Sequence, residues 1–192
     1  MQRLIGGLAA ATAAIALAAG AAEAQAPRKG GVLNFAVVAE PPNYDLHSST
    51  TFATIHPVAP HYSTLLKFDT KSYPKVIGDL ARSWEISPDG LTWTFRLHTG
   101  VKFHDGSAFS SADIKASYER IAKPPAGVIS ARRGFWADLT SIETPDATTA
   151  VFKFKAPTAG MLEHFANPYN SIYSAARLAQ NPKYPETEIM GT

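Results

Sequence analysis

Apolar and polar residues alternate in two runs, Trp84-Glu85-Ile86 and Thr92-Trp93-Thr94-Phe95-Arg96-Leu97, on either side of Ser87-Pro88-Asp89-Gly90. A period of two places one side of each run on a buried face. Pro-Asp-Gly makes the turn, because Pro presets φ and Gly accepts a positive φ. A β-hairpin is therefore predicted, with a second tight turn at His104-Asp105-Gly106. Ser110-Ser111-Ala112-Asp113 then has the form of a helix N-terminus, with Ser110 placed to accept from first-turn amides and Asp113 to reciprocate. The helix should run to about Ala122, with Ile114, Tyr118 and Ile121 on one face, and stop before Pro124-Pro125. Beyond it the pattern predicts a strand near Leu139–Glu143, a turn at Thr144-Pro145-Asp146 and a strand over Thr149–Lys155. Ala150, Phe152 and Phe154 share one side of that last strand, Lys153 and Lys155 the other. Short helices are expected at Met161–Phe165 and from a Ser174 cap to about Gln180. Upstream, Gly30-Gly31 leads into Val32–Val38, a mostly apolar, Val-rich run that predicts a buried strand ended by Glu40-Pro41-Pro42-Asn43-Tyr44-Asp45. Thr50–Leu66 reads as two short helical pieces, because Pro57 and Pro60 interrupt it. The fold class is mixed α/β, richer in hairpins than in βαβ units.

The first residues follow a different logic. Arg3 precedes 19 uncharged, Ala-rich residues, Leu4–Ala22, and Ala22-Glu23-Ala24 then offers small residues at both positions that an export peptidase reads. Residues 1–24 are expected to be a signal peptide cut after Ala24. The same pattern at Ala24-Gln25-Ala26 would leave Pro27 just past the cut, where its ring hinders the peptidase. The chain has no Cys, which excludes disulfides, thiolate metal sites and lipidation at a mature N-terminal Cys. A soluble, periplasmic protein of a double-membraned bacterium is expected.

Charge adds little to this picture. A formal net charge of +2 over 192 residues gives no reason to expect nucleic acid or an anionic membrane as a partner. His56 and His61 are five apart and His98 and His104 six apart, and neither spacing places two imidazoles on one helical face. No GxSxG, HExxH, P-loop or GxGxxG motif is present, so the sequence points to no catalytic residue, metal or cofactor.

Leu80-Ala81-Arg82-Ser83-Trp84-Glu85-Ile86-Ser87-Pro88-Asp89-Gly90, continuing through Phe95-Arg96-Leu97 and Val101-Lys102-Phe103-His104-Asp105-Gly106 to Phe109, Asp113 and Arg120, resembles family 5 of the bacterial extracellular solute-binding proteins. These are the peptide- and nickel-binding components of ABC importers. The likeness runs from the Gly-Gly-Val-Leu stretch to Ile189-Met190-Gly191-Thr192. It implies a two-lobed, periplasmic-binding-protein-like fold that closes over a small solute and presents it to the importer's membrane subunits. The chain would supply part of lobe I. Residues 25–46 would start its sheet subdomain, 47–167 would form a smaller hairpin and helix subdomain, and 168–192 would return to the sheet. By that likeness, lobe II would be missing from these 192 residues. Two readings follow. One is capture of an oligopeptide-like solute for import, and the other is a truncated, non-transporting secreted interaction module or remnant.

Candidate ligand contacts lie where loops leave the expected sheet subdomain. Ligands of open α/β sheets sit beyond the carboxyl ends of strands, which singles out Glu40 for a ligand ammonium, and Asn43 and Tyr44 for amide bonding or stacking. The resemblance places the family's corresponding loop at the cleft too. Tyr169 and Asn170, at the return to the sheet subdomain, form the second candidate group.

Overall fold

The computed structural model describes residues 30–192, Leu33 excepted. The expected export segment over 1–24 lies outside the described residues. The chain divides into two units, Met1–Phe35 and Ala36–Thr192. In the first, the described residues 30–32, 34 and 35 form neither helix nor strand. The strand expected over Val32–Val38 is not found. No described residue of that run is in a strand, and Val32, Phe35 and Val38 are exposed. A strand satisfies its backbone only through a neighbour, and no described strand pairs with this run.

The second unit begins its regular structure at α1 (Phe52–Val58), capped by Thr51 Oγ1, which accepts from the Ala53 N–H at 3.2 Å. A 3₁₀ turn over Ala59–His61 follows, with Pro60 in its first turn. Two short helical pieces were expected here, and the break falls after Val58 although Pro57 lies inside α1. A two-stranded sheet, β1 (Leu66–Phe68) and β2 (Val76–Gly78), has no counterpart in the sequence reading. Three residues are too few for a period of two to register.

The main sheet is antiparallel, in the order β3 (Ala81–Ile86), β4 (Thr92–Leu97), β6 (Thr149–Phe154), β5 (Leu139–Asp146). The predicted hairpin is β3–β4, with Trp84 opposite Phe95 and Ile86 opposite Trp93. Its turn closes through Gly90 N–H to Ser87 O at 2.8 Å, and Gly90 takes φ +72°, which L side chains rarely adopt. The predicted second hairpin is β5–β6. Here β5 runs through the residues expected to turn, Thr144-Pro145-Asp146, the turn falls at Ala147-Thr148, and the register slips between Glu143 and Asp146. That irregularity accommodates Pro145, which cannot donate to a regular ladder.

The inward side chains of β4 and β6 meet α2 (Ser111–Ala122) and α3 (Met161–Phe165). Phe95, Phe152, Phe165, Tyr118 and Trp136 are fully buried, with ring centroids 4.7 Å apart for Phe95–Phe165, 5.0 Å for Tyr118–Phe152 and 4.8 Å for Tyr118–Trp136. Leaving water stabilises each of the three Phe rings by roughly 1.5–3 kcal/mol. The outer face is polar, and there Lys153 pairs across the ladder with Glu143 at 2.6 Å. At the start of α2 the expected reciprocal cap is complete: Ser110 accepts from the first turn while Asp113 Oδ2 accepts from the Ser110 N–H at 2.8 Å.

The chain after α3 wraps this core through a 3₁₀ turn at Pro168–Asn170, α4 (Ala175–Gln180) and a second 3₁₀ turn at Tyr184–Glu186. Ser174 caps α4 as expected. Met190 is buried with Tyr173, Leu178 and Tyr184, and Gly191 bonds His104 twice, through O to the His104 N–H at 2.9 Å and through its own N–H to Nδ1 at 3.3 Å. A Cβ on Gly191 would lie 2.0 Å from His61 O. Gly191→Ala must therefore push residues 190–192 off the core and expose Met190. The expected cost is about 1–3 kcal/mol, read as a lower urea midpoint; an unchanged midpoint would refute the tight docking.

Candidate functional site

The loop that carries the first candidate group is shaped by its own sequence. Pro41 and Pro42 fix φ and withdraw two donors. Asn43 Oδ1 then accepts from the Asp45 N–H at 3.0 Å, a side-chain turn typical of Asn. The Tyr44 N–H donates to Glu186 O at 3.2 Å, tying the loop to the second 3₁₀ turn. Glu40 is exposed, and Asn43 and Tyr44 are half-buried.

The second group sits on the 3₁₀ turn Pro168–Asn170, where Asn167 Oδ1 accepts from the Tyr169 N–H at 3.0 Å. Tyr169 is 9% exposed, and its hydroxyl donates to Thr51 O at 3.1 Å. Asn170 is buried. Its Nδ2 donates to His164 O at 2.8 Å, while its Oδ1 has no partner. Tyr44 and Tyr169 are brought together in one apolar cluster with Leu46 and Val58. Glu40 and Asn43 lie on the loop that leads to that cluster, and Asn170 is engaged on the α3 side instead.

Behind the loop lies a buried polar network. Asp45 takes two bonds from Arg120, Nη2 to Oδ2 at 2.7 Å and Nη1 to Oδ1 at 3.2 Å. Its Oδ1 also accepts from the Tyr173 hydroxyl at 3.1 Å and the His47 N–H at 3.0 Å. Arg120 Nε donates to Pro182 O at 3.0 Å, so the guanidinium joins the loop to the wrapping segment just after α4. His47 Nε2 lies 2.8 Å from Ser171 O, and its Nδ1 lies 3.0 Å from Arg120 Nη1. A carbonyl can only accept and a guanidinium can only donate. The ring is therefore neutral, with its proton on Nε2. Burial pushes its pKa down to about 3, against the raising influence of Asp45. For Asp45, burial alone would raise the carboxyl, but the Arg120 bonds and the nearby charges outweigh it and hold the pKa below the usual value.

This network was not singled out from the sequence, yet α2 carried a signal for it. Asp113, Ser117 and Arg120 follow the spacing i, i+4, i+7 and form a polar stripe beside the apolar stripe Ile114, Tyr118, Ile121. All three dock the wrapping segment or the loop. Asp113 Oδ1 accepts from the Ala175 N–H at 2.8 Å, and Ser117 Oγ accepts from the Tyr173 N–H at 2.8 Å. Arg132 was likewise missed. It is 8% exposed, its guanidinium carbon lies 3.6 Å from the Tyr169 ring centroid, and its Nη1 donates to Ser49 O at 2.7 Å.

Among the described residues no three His, Cys, Asp or Glu side chains gather as they would around a metal ion. His61 and His104, which the sequence spacings did not pair, stand edge to face with centroids 6.5 Å apart.

Residues 75–192 match the family described as bacterial extracellular solute-binding proteins, family 5 Middle. The glutathione-binding protein GsiB of Pectobacterium atrosepticum is 37% identical over 131 residues, which are 68% of this chain and 25% of that protein. Among solved structures, the periplasmic binding protein AgaA of Agrobacterium tumefaciens R10, in complex with agropinic acid, superposes with a TM-score of 0.72 at 32% identity. The match covers 80% of this chain and 30% of AgaA. DppA of Helicobacter pylori, in complex with the peptide STSA, gives 0.71 at 29% identity over 80% of this chain and 34% of its own. The chain thus spans about a quarter to a third of the length of these relatives.

Proposed function

Because the chain belongs to family 5 of the bacterial extracellular solute-binding proteins, we propose that it forms part of a periplasmic component that captures an oligopeptide-like solute for an ABC importer. The protein binds and does not catalyse. Its partners are the solute and the importer's membrane subunits, and it meets the membrane only through them. The observation that carries this reading is the family match over 75–192 together with the backbone likeness to a peptide-bound relative. In this reading 25–46 and 168–192 belong to the sheet subdomain of lobe I and 47–167 to its smaller subdomain.

Glu40, Asn43, Tyr44 and Tyr169 are the proposed ligand contacts, whereas Asn170, buried and bonded to His164 O, holds the turn that carries Tyr169. Glu40 is exposed and can meet an ammonium. Tyr44 and Tyr169 share an apolar cluster that can seat a side chain. Enclosure by a second lobe would strengthen each polar contact by removing water.

Calorimetric titration of the chain with a di- to hexapeptide library tests this. A chimera in which the remaining segment of a relative follows Thr192 serves as comparison. Saturable heat with the chain itself is expected, and Glu40→Gln and Tyr44→Ala should weaken it. Binding by the chimera alone would favour the second reading, a non-transporting module. Silence from both would overturn peptide capture.

A further inference from the structure

A buried guanidinium normally faces a carboxylate, because an unpaired charge in low dielectric is costly. Arg120 obeys this rule through Asp45. Arg132 does not. It is 8% exposed, yet among the described residues no Asp or Glu lies within ion-pair distance of it. Its protein partners are the Ser49 carbonyl, at 2.7 Å from Nη1, and the face of Tyr169 at 3.6 Å. One edge of the fork is thus held and its plane is fixed by stacking, while Nε and Nη2 have no hydrogen-bond partner among the described residues.

The backbone fixes this position from both sides. The Ala131 N–H donates to His47 O at 3.0 Å, setting the segment against the loop that carries Asp45. The Phe135 N–H donates to Arg132 O at 3.0 Å, opening the 3₁₀ turn Arg133–Trp136. Ile129 and Phe135, three residues to either side of Arg132, are exposed at 69% and 52%. Burial lowers the Arg132 pKa, as it does for a cation that lacks a counter-charge.

We infer that Arg132 is a carboxylate-gripping residue of the ligand site, taking an acid group of the bound solute. The inference rests on the proposed solute-capture function and adds to it the chemical class of one end of the ligand. A planar, pre-oriented fork suits a two-oxygen anion. Tyr169 enters this site as the platform beneath the arginine, with its hydroxyl held by Thr51 O.

The test uses the whole chain and two probes, alanyl-phenylalanine with a free carboxylate and the same dipeptide as its C-terminal amide. Calorimetry on the unaltered chain should show the acid binding about tenfold or more tightly than the amide. In Arg132→Gln the two probes should become equivalent. Arg132→Lys, which keeps the charge and loses the fork, should fall between. The acid-to-amide ratio of the unaltered chain needs no variant, so a folding defect in Arg132→Gln cannot mask the result. Equal binding of acid and amide would overturn the role of Arg132 and leave peptide capture standing. If neither dipeptide nor any library peptide bound the chain or the chimera, capture itself would fail, and the arginine's role with it.

Discussion

Arg120→Ala is expected to cost the fold about 3–5 kcal/mol, because it strands a buried carboxylate. Asp45 is fully buried and takes two of its bonds from Arg120. The Tyr173 hydroxyl and the His47 N–H would remain, but neither carries a charge. The same truncation removes the Arg120 Nε bond to Pro182 O, so the wrapping segment loosens from α2 as well. Asp45→Asn strands the buried Arg120 guanidinium in turn and should cost a comparable amount. Combining the two should recover part of the loss, which a double-mutant cycle of urea midpoints would measure as coupling. The exposed pair Lys153–Glu143 supplies the contrast. Although its contact is just as short at 2.6 Å, its side chains are 45% and 52% exposed, and Lys153→Ala should cost no more than about 1 kcal/mol. If Arg120→Ala cost no more than Lys153→Ala, burial would not be governing these pairs.

That contrast also marks what could be read from the sequence. The β3–β4 hairpin, the Ser110 cap and the short helices α3 and α4 are written in residues a few positions apart, so alternation, turn chemistry and capping were enough. The expected strand over Val32–Val38 needed something more, a neighbour to pair with. The run has the composition of a strand, but no described strand pairs with it. The Asp45–Arg120 bond joins residues 75 positions apart, and the polar stripe on α2 that includes Arg120 does not say which residue it meets. Asp45 follows a loop where acidic residues are common, and Arg120 sits where a solvated helix end would also place an arginine. Arg132 and Arg133 are adjacent and of one type, yet the first is buried against Tyr169 and the second exposed. Only the path of the chain separates them. In the sequence, Tyr169 and Asn170 stand out only through an expected return to a sheet subdomain. The structure adds that Tyr169 supports a cation while Asn170 is held inside by His164 O.

Acidification from pH 7 to pH 4 is expected to destabilise the fold through His47, at close to one proton's worth of slope. The folded ring is neutral and walled in. Its Nε2–H is given to Ser171 O, its Nδ1 accepts from Arg120 Nη1, and Tyr173 stacks at 4.3 Å. The charged groups facing it are Asp45, which favours protonation, and Arg120 and Arg132, which oppose it along with burial. The folded pKa is about 3, against about 6.5 in the unfolded chain. Between those values the unfolded state binds a proton that the folded state refuses, so stability is full above pH 6.5 and falls as pH drops. The slope approaches about 1.4 kcal/mol per pH unit in the middle of the window. His164, lowered by partial burial, adds a smaller loss of the same sign. Asp45, held low mainly by Arg120 against its burial, adds to the loss only at still lower pH. Asp113 acts oppositely, because burial raises its pKa and the folded state then holds the extra proton. Urea midpoints measured from pH 7 to pH 4 should therefore fall steadily, and His47→Gln, though less stable at pH 7, should show a flatter profile. A variant whose profile runs parallel to that of the unaltered chain would mean that the proton is taken up elsewhere and that His47 is not the group resisting it.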